Sequence, residues 1–332
     1  MRNWSEQGVD SADMSVAAIV VTYNRLGMLR RWLSDLKGQT RPVQEIIVVD
    51  NASEDGTEAA MLQEFPWVTY VRMSENVGPG GAWAAGMQVA YQHGHQGFWL
   101  FNDDSFPLPD TLDQMFDYGA RLNDEVGILA PVSDLGGPTY WGIHWKGRPV
   151  RCRQSESAGP VFVDGVTFSG SLVFRSVVDS IGYPRSDLFF MFEEYEYCLR
   201  ARQAGFQIAV LPDVTITHLT AGSSGFSPPW RGYYQSRNHL AIALERHSVR
   251  DLFWWAVVQS KYCVGTILYL DCKFLRVKLR LMGARDGWRG RLGKTIDPAT
   301  FSYKHTHSPE GEAALSRLPA NRDSSRQRED EK

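Results

Sequence analysis

Cysteine is scarce in this chain. The four residues, Cys152, Cys198, Cys263 and Cys272, form no C-x-x-C pair and no Cys/His cluster at zinc spacing, which excludes a structural zinc site and a disulfide framework. They read as reduced thiols. A strong charge of one sign is also missing: 35 basic against 38 acidic residues leave a formal net charge of −3, so the chain does not bind nucleic acid through its overall field. The opening stretch MRNWSEQGVDSADMS lacks the unbroken apolar core of an export signal, and a cytoplasmic site of action is expected. No long apolar run is free of charge. The longest, Leu252 to Leu270, carries Gln259, Ser260 and Lys261 at its middle, and a central Lys costs roughly 2.5 to 3.5 kcal/mol to insert. A helix that packs on the domain or lies on a membrane surface is expected there instead.

What is present is a chain of 332 residues, 43% apolar, enough for a sizeable core. VAAIVVTYNR (16–25) is a β-branched apolar run, and Leu26, Leu29, Leu33 and Leu36 follow at helical spacing. EIIVVD (45–50), WVTYVRM (67–73) and GFWLFNDD (97–104) continue strands at intervals of 25 to 30 residues with helix-length segments between them. That pattern predicts βαβ crossovers and a mainly parallel sheet flanked by helices. From about residue 125, shorter strand-like pieces predict a mixed extension of the same sheet. After Gly225 a helical region runs to about Gly293, and the polar, charged stretch beyond about Ser308 reads as disordered.

In open parallel sheets, ligands sit beyond the carboxyl ends of the strands. Thr22, Asn24, Arg25, Asp50, Asn76 to Gly81 and Asn102 to Asp104 stand at those ends. Taken singly, an Asn or Asp there caps the next helix; four such ends together point to a site. A dinucleotide fold would place G-x-G-x-x-G after the first strand, and TYNRLG has none. The glycines come later, in NVGPGGAW, where they either let the backbone approach a phosphate or make a tight helix entry. Asp103 and Asp104 pose a charge problem, because adjacent carboxylates repel and burial raises at least one pKa unless a cation compensates. A divalent metal that also carries a diphosphate solves it.

AAIVVTYNR, QTRPVQEIIVVDNASEDGT, NVGPGGAWAAGM, WLFNDDSFPLPDTL and FFMFEEYEYCLRARQAGF, in that order, resemble the inverting nucleotide-sugar glycosyltransferases of family 2. The resemblance spans roughly residues 16 to 240 and implies the GT-A fold, a Rossmann-like sheet with a helical C-terminal extension. It implies a nucleotide-sugar donor, UDP- or dTDP-linked, held by Thr22, Asn24, Arg25, Asp50, Asn76, Gly78, Asn102 and Asp103, with Thr22 and Asp50 on the nucleoside. It implies a divalent Mn²⁺ or Mg²⁺ on Asp104 and His218. The first position of the acidic triplet is Asn102 where the family often has Asp, which removes one negative charge. Glu194 falls on the family's catalytic base, commonly an Asp. Glu193 and Glu196 fall beside it, on the acceptor side or as loop-ordering groups. TFSGSLVFR, with Ser169 and Gly170, resembles the family's acceptor-lining turn and equally reads as an ordinary hairpin. Trp141 and Trp145 are candidates to stack on a sugar, and Arg237 in YYQSRN is the candidate to meet the leaving diphosphate.

The finer resemblance is to bacterial galactofuranosyltransferases and rhamnosyltransferases. It implies transfer from UDP-galactofuranose, with dTDP-rhamnose as the rival donor, to a surface-glycan or polyprenyl-linked acceptor. A nucleotidyltransferase and a non-catalytic glycan- or sugar-nucleotide-binding module are the readings of other kinds. From Lys273 to Lys294, eight Lys or Arg face one acid, Asp286, with Phe274, Leu281 and Trp288 interleaved. Such a segment suits an anionic membrane surface, with Arg276, Lys278 and Arg280 as its contacts, and places the enzyme peripherally at the inner face of the cell membrane. The expected organisation is a flexible 1–14, a catalytic domain over 15–225, a helical, membrane-facing region over 226–300 and a disordered tail over 301–332.

Overall fold

The computed structural model describes residues 14–119, 122, 125–134, 140–143, 149–151, 159–219, 228–269 and 271–298. Residues 1–13 of the expected flexible start, the expected disordered tail over 301–332 and the expected boundary at 225/226 lie outside the described residues. In chain order the elements are β1 (Val16–Thr22), α1 (Leu26–Lys37), β2 (Glu45–Asp50), α2 (Thr57–Glu64), β3 (Thr69–Arg72), α3 (Gly78–Gln92), β4 (Gly97–Asn102), β5 (Ser105–Pro107), α4 (Thr111–Gly119) and β6 (Val126–Asp134). They continue as β7 (Tyr140–Ile143), β8 (Pro149–Arg151), β9 (Val161–Val163), β10 (Ser171–Phe174), α5 (Arg175–Ile181), α6 (Glu193–Gln203), β11 (Gln207–His218), α7 (Pro229–Glu245), α8 (Val249–Tyr269) and α9 (Lys273–Trp288).

All 11 strands join one sheet, with the main order β3-β2-β1-β4-β10-β6-β11-β5. The first four are parallel; β10 enters antiparallel between β4 and β6, and β6 pairs β11 in parallel. Every residue of β1 is buried, because alternate side chains serve two different layers. Ala17, Ile19 and Val21 pack with Trp83 and Met87 of α3, whereas Val16, Ala18 and Val20 pack with Leu29, Trp32 and Leu33 of α1. The sheet therefore runs one way from β1 to β2 and β3 and the other way to β4, with helices on opposite faces. That reversal, beyond the ends of β1 and β4, is where such sheets bind ligands. Thr22 and the Asn102–Asp104 row stand there, at the ends of adjacent strands.

The stretch read alternatively as a hairpin is not one. β9 pairs β11, whereas β10 pairs β4 and β6, so the chain between them crosses the sheet. That route carries Ser169 to the end of β4.

In the C-terminal region, α7 and α9 lie close together. A Cβ on Gly283 would sit 2.2 Å from the Tyr233 carbonyl oxygen, so only glycine lets the two backbones approach this far. Leu279 of α9 shares a buried cluster with Tyr233, Tyr234 and Phe189, the last from the loop before α6. The C-terminal helices thus pack onto the catalytic part of the chain. On α9 the expected amphipathic order is reversed. Arg276 is buried and pairs with Asp271 at 2.9 Å, and Arg280 donates to Gln259 Oε1 at 2.9 Å above the Tyr262 ring, while Phe274, Leu281 and Trp288 point outward. Arg276 and Arg280 are therefore internal contacts between α9 and its surroundings, not membrane contacts.

Candidate active site

One side of the candidate site is built from the ends of β1 and β4. Thr22 is buried and its Oγ1 donates to Asp103 Oδ2 at 2.7 Å. Arg25, just before α1, spans the acidic pair, with Nη1 3.0 Å from Asp103 Oδ1 and 3.0 Å from Asp104 Oδ2. Asn24 takes a positive φ of 52° and links the loops after β1 and β2: its N–H donates to Ser53 Oγ at 2.9 Å and its Oδ1 accepts the Glu54 N–H at 2.7 Å.

The two carboxylates are not equivalent. Burial pushes Asp103 up to about 6 against the opposing pull of Arg25 and Thr22. Burial also works against the charge on Asp104, yet the hydrogen bond and charge of His218, with Arg25, bring it below the usual carboxylate range. His218 reaches Asp104 because β11 pairs antiparallel with β5, setting His218 opposite Ser105; its Nε2 lies 3.2 Å from Asp104 Oδ1. These residues are 114 positions apart in sequence.

Among the described residues no three His, Cys, Asp or Glu side chains gather as a metal cage. Asp104 and His218 offer one oxygen-donor and one nitrogen-donor group. Such a set fits Mg²⁺ or Mn²⁺ that takes its remaining ligands from a diphosphate and water.

The other side is the first turn of α6. Glu194 Oε1 accepts the Phe168 N–H at 2.9 Å, and among the described residues Oε2 has no hydrogen-bond partner. Burial raises its pKa, with the Phe168 N–H and the charge of His218 opposing. Glu193 is buried, and its Oε2 is enclosed without a partner. Burial and the neighbouring Glu194 raise its pKa, with Arg231 opposing. Phe168 stands next to Ser169, whose Oγ lies 3.4 Å from Asn102 Nδ2. Glu194 and Asp104 therefore belong to one site, linked on one side through His218 and on the other through the 168–169 turn and Asn102.

The loop ahead of α6 holds an unusual shape. Phe189, Met191 and Phe192 all have positive φ, at 60°, 69° and 72°, a costly region for side chains with a Cβ. Asn238 of α7 fixes it by donating from Nδ2 to the carbonyls of Leu188, Phe190 and Met191 at 2.8, 2.9 and 2.7 Å.

Several expected roles are corrected by this geometry. Arg237 does not face the diphosphate: it is fully buried and donates to the Leu188 and Gly293 carbonyls, Thr295 Oγ1 and Asn238 Oδ1. Asp50 is fully buried and accepts from the Ser53 N–H, Tyr70 Oη and Arg72 Nη1, so its carboxylate braces the end of β2. Asn76 accepts the Gly78 N–H, and Gly78 has φ +78° with its hydrogen facing the Phe189 carbonyl; a Cβ there would sit 1.8 Å from that oxygen. Of the two readings of the glycine run, tight packing against the Phe189 loop is the one built, not contact with a phosphate. Glu196 gives both oxygens to Arg200, at 2.7 and 3.0 Å, and holds the helix rather than an acceptor. Gly170, at φ +78°, makes the turn into β10, its N–H on Leu100 O and its own carbonyl on Trp99 Nε1. The side chain of Trp141, and all of Trp145, lie outside the described residues.

Arg231 was not anticipated. It stands in the first turn of α7, partly buried, over the Phe190 ring at 5.2 Å and within electrostatic reach of Glu193 and Arg25. Asn238 closes the stretch YYQSRN, and Arg231 lies two residues before it. Positions 231 and 237 sit about 120° apart around the helix, so Arg231 faces the Glu193 side while Arg237 turns into the protein.

The sequence matches Glycosyl transferase family 2 over residues 17–182. The chain belongs to that family. It is 30% identical over 227 residues to the galactofuranosyltransferase GlfT1 of Mycobacterium tuberculosis, covering 64% of this chain and 73% of the relative. It is 26% identical over 291 residues to the N-acetylglucosaminyl-diphospho-decaprenol L-rhamnosyltransferase of the same species, covering 79% of this chain and 93% of the relative. In fold it is similar to the mannosyltransferase PcManGT of Pyrobaculum calidifontis, solved with GDP-Man and Mn²⁺, with a TM-score of 0.51, 15% identity, and coverage of 95% of this chain and 79% of that one. As a family 2 member the chain is a glycosyltransferase of the GT-A fold, so the nucleotidyltransferase and non-catalytic readings fall.

Proposed function

We propose that this glycosyltransferase transfers, with inversion and with the help of a divalent metal, galactofuranose from UDP-galactofuranose to a hydroxyl of a bacterial surface-glycan or polyprenyl-linked acceptor. The observation that carries the mechanism is the shared site of Asp104, His218 and Glu194. Glu194 is the base. The Phe168 N–H holds its Oε1, leaving Oε2 for the acceptor hydroxyl. As that hydroxyl oxygen bonds to the anomeric carbon, its proton passes to Glu194, and the bond from carbon to diphosphate breaks with its electron pair on the leaving oxygen. Attack opposite the leaving group inverts the configuration. Asp104 and His218 would hold a Mn²⁺ or Mg²⁺, which when bound neutralises charge on the departing diphosphate. Arg25 and Arg231 flank the acids on either side and orient phosphate oxygens.

The galactofuranose donor is supported by the 30% identity to GlfT1. The second reading, dTDP-rhamnose as donor, is favoured by the rhamnosyltransferase relative, which aligns over more of the chain. The diphospho-decaprenol in that relative's name supports a lipid-linked acceptor and a peripheral position at the inner face of the cell membrane. No helix among the described residues is long and apolar enough to cross a membrane. The test is donor turnover by the full chain with Mn²⁺ across UDP-galactofuranose, dTDP-rhamnose and other nucleotide sugars. Release of UDP from UDP-galactofuranose with acceptor supports the proposal. Turnover of dTDP-rhamnose alone replaces it with the second reading.

A further inference from the structure

Three large apolar side chains stand in water along one stripe of α9. Phe274, Leu281 and Trp288 recur every seven residues and are 94%, 63% and 71% exposed. Between turns of this stripe lies a shallow groove of about 440 Å³ lined by Phe274, Val277, Lys278, Leu281, Met282 and Arg285. Contiguous exposed apolar surface of this kind marks an interaction face. Its exposed charge is basic: Lys273 and Lys278 stand out on the same helix, while Arg285 is tied at 3.0 Å to the buried Asp286, which also accepts from Tyr233 Oη.

We propose that this outward face of α9 docks on an anionic lipid surface, with Phe274, Leu281 and Trp288 entering the headgroup layer and Lys273 and Lys278 meeting lipid phosphates. Apolar insertion combined with cations of a single sign fits a bilayer and repels a basic protein partner. The inner side of the same helix places Leu279 against Phe189, in the loop that leads to Glu193 and Glu194. One helix diameter, about 10 Å, thus separates the docking face from the base's loop. A lipid-linked hydroxyl emerging from the bilayer is within reach of the site without leaving the membrane. The placement rests on the reading of the acceptor as lipid-linked.

Vesicle co-sedimentation of the full chain tests this face, using phosphatidylcholine alone and phosphatidylcholine with phosphatidylglycerol, at low and high salt. Binding should require the anionic lipid and weaken with salt. F274Q/L281Q/W288Q should lose binding, and K273E/K278E should lose roughly 10-fold or more of it; both should keep wild-type circular dichroism, melting temperature and nucleotide affinity, since none of these residues touches the site. A wild-type chain that stays in the supernatant with phosphatidylglycerol vesicles overturns the proposal, as does undiminished binding by the glutamine variant. A dimer abolished by these substitutions, without vesicle binding, assigns the face to a second copy and also overturns it. Vesicle binding with no transfer to a polyprenyl-linked acceptor leaves the docking face standing and refutes only the acceptor reading.

Discussion

Glu194 and Asp104 sit in one site with different proposed roles, and their variants separate them. Glu194→Gln removes the proposed proton acceptor while keeping its shape, so turnover should drop by roughly 10² to 10⁴ with donor affinity retained. Unchanged turnover would remove Glu194 from the mechanism. Asp104→Ala should instead abolish the dependence of nucleotide affinity on Mn²⁺, measured by calorimetric titration with and without the metal; metal-stimulated binding of wild-type strength would place the cation elsewhere. Because burial raises the pKa of Glu194, and a base must be ionised to act, activity should rise with pH through a range above that of an ordinary carboxylate. The acidic limb of the kcat profile is the check, and it should vanish in Glu194→Gln.

At the level of elements, the decisive contact is between α7 and the loop before α6. Asn238→Ala would leave the Phe190 and Met191 carbonyls without this donor, while the Leu188 carbonyl keeps Arg237, at a cost of about 1 to 3 kcal/mol, and free a loop whose positive φ angles it restrains. The expected result is a lower melting temperature and reduced kcat with nucleotide affinity unchanged; an equal loss of affinity would show that Asn238 serves the donor side. Gly78→Ala attacks the same loop from α3, where the new methyl would meet the Phe189 carbonyl. It should also lower kcat and stability. A wild-type melting curve would mean that α3 and the loop can separate freely.

At the level of the whole molecule, the C-terminal helices are part of the catalytic unit. Arg237 and Asn238 hold the 188–191 carbonyls, and Leu279 packs on Phe189, so a chain ended after Gly225 loses every one of these restraints. Such a truncation should melt at a lower temperature and show no transfer even to a soluble acceptor. Full activity from the truncated chain would reduce the helices to a docking accessory.

Much of this was legible from one dimension. Alternating and helical periodicities are local, so β1, β2, β4 and α1 could be placed from their own residues. The adjacent carboxylates announced a need for a counter-cation, and the ordered motifs identified the family. What the chain's order did not contain was which side chains would be consumed by their neighbours. Asp50, Arg237 and Glu196 carry the right chemistry at the right ends, yet burial surrounded each with partners between 1 and 58 residues away. Arg231 and Asn238 gained their positions only when α7 turned one face to the Phe189 loop, and α9 turned its apolar stripe outward only because its arginines found acceptors inside. Sequence alone determined the elements and the family, because short-range spacing and residue type decide those. Tertiary structure decided which polar groups remain free to act, because a carboxylate or guanidinium buried within hydrogen-bond reach of its own chain is already satisfied.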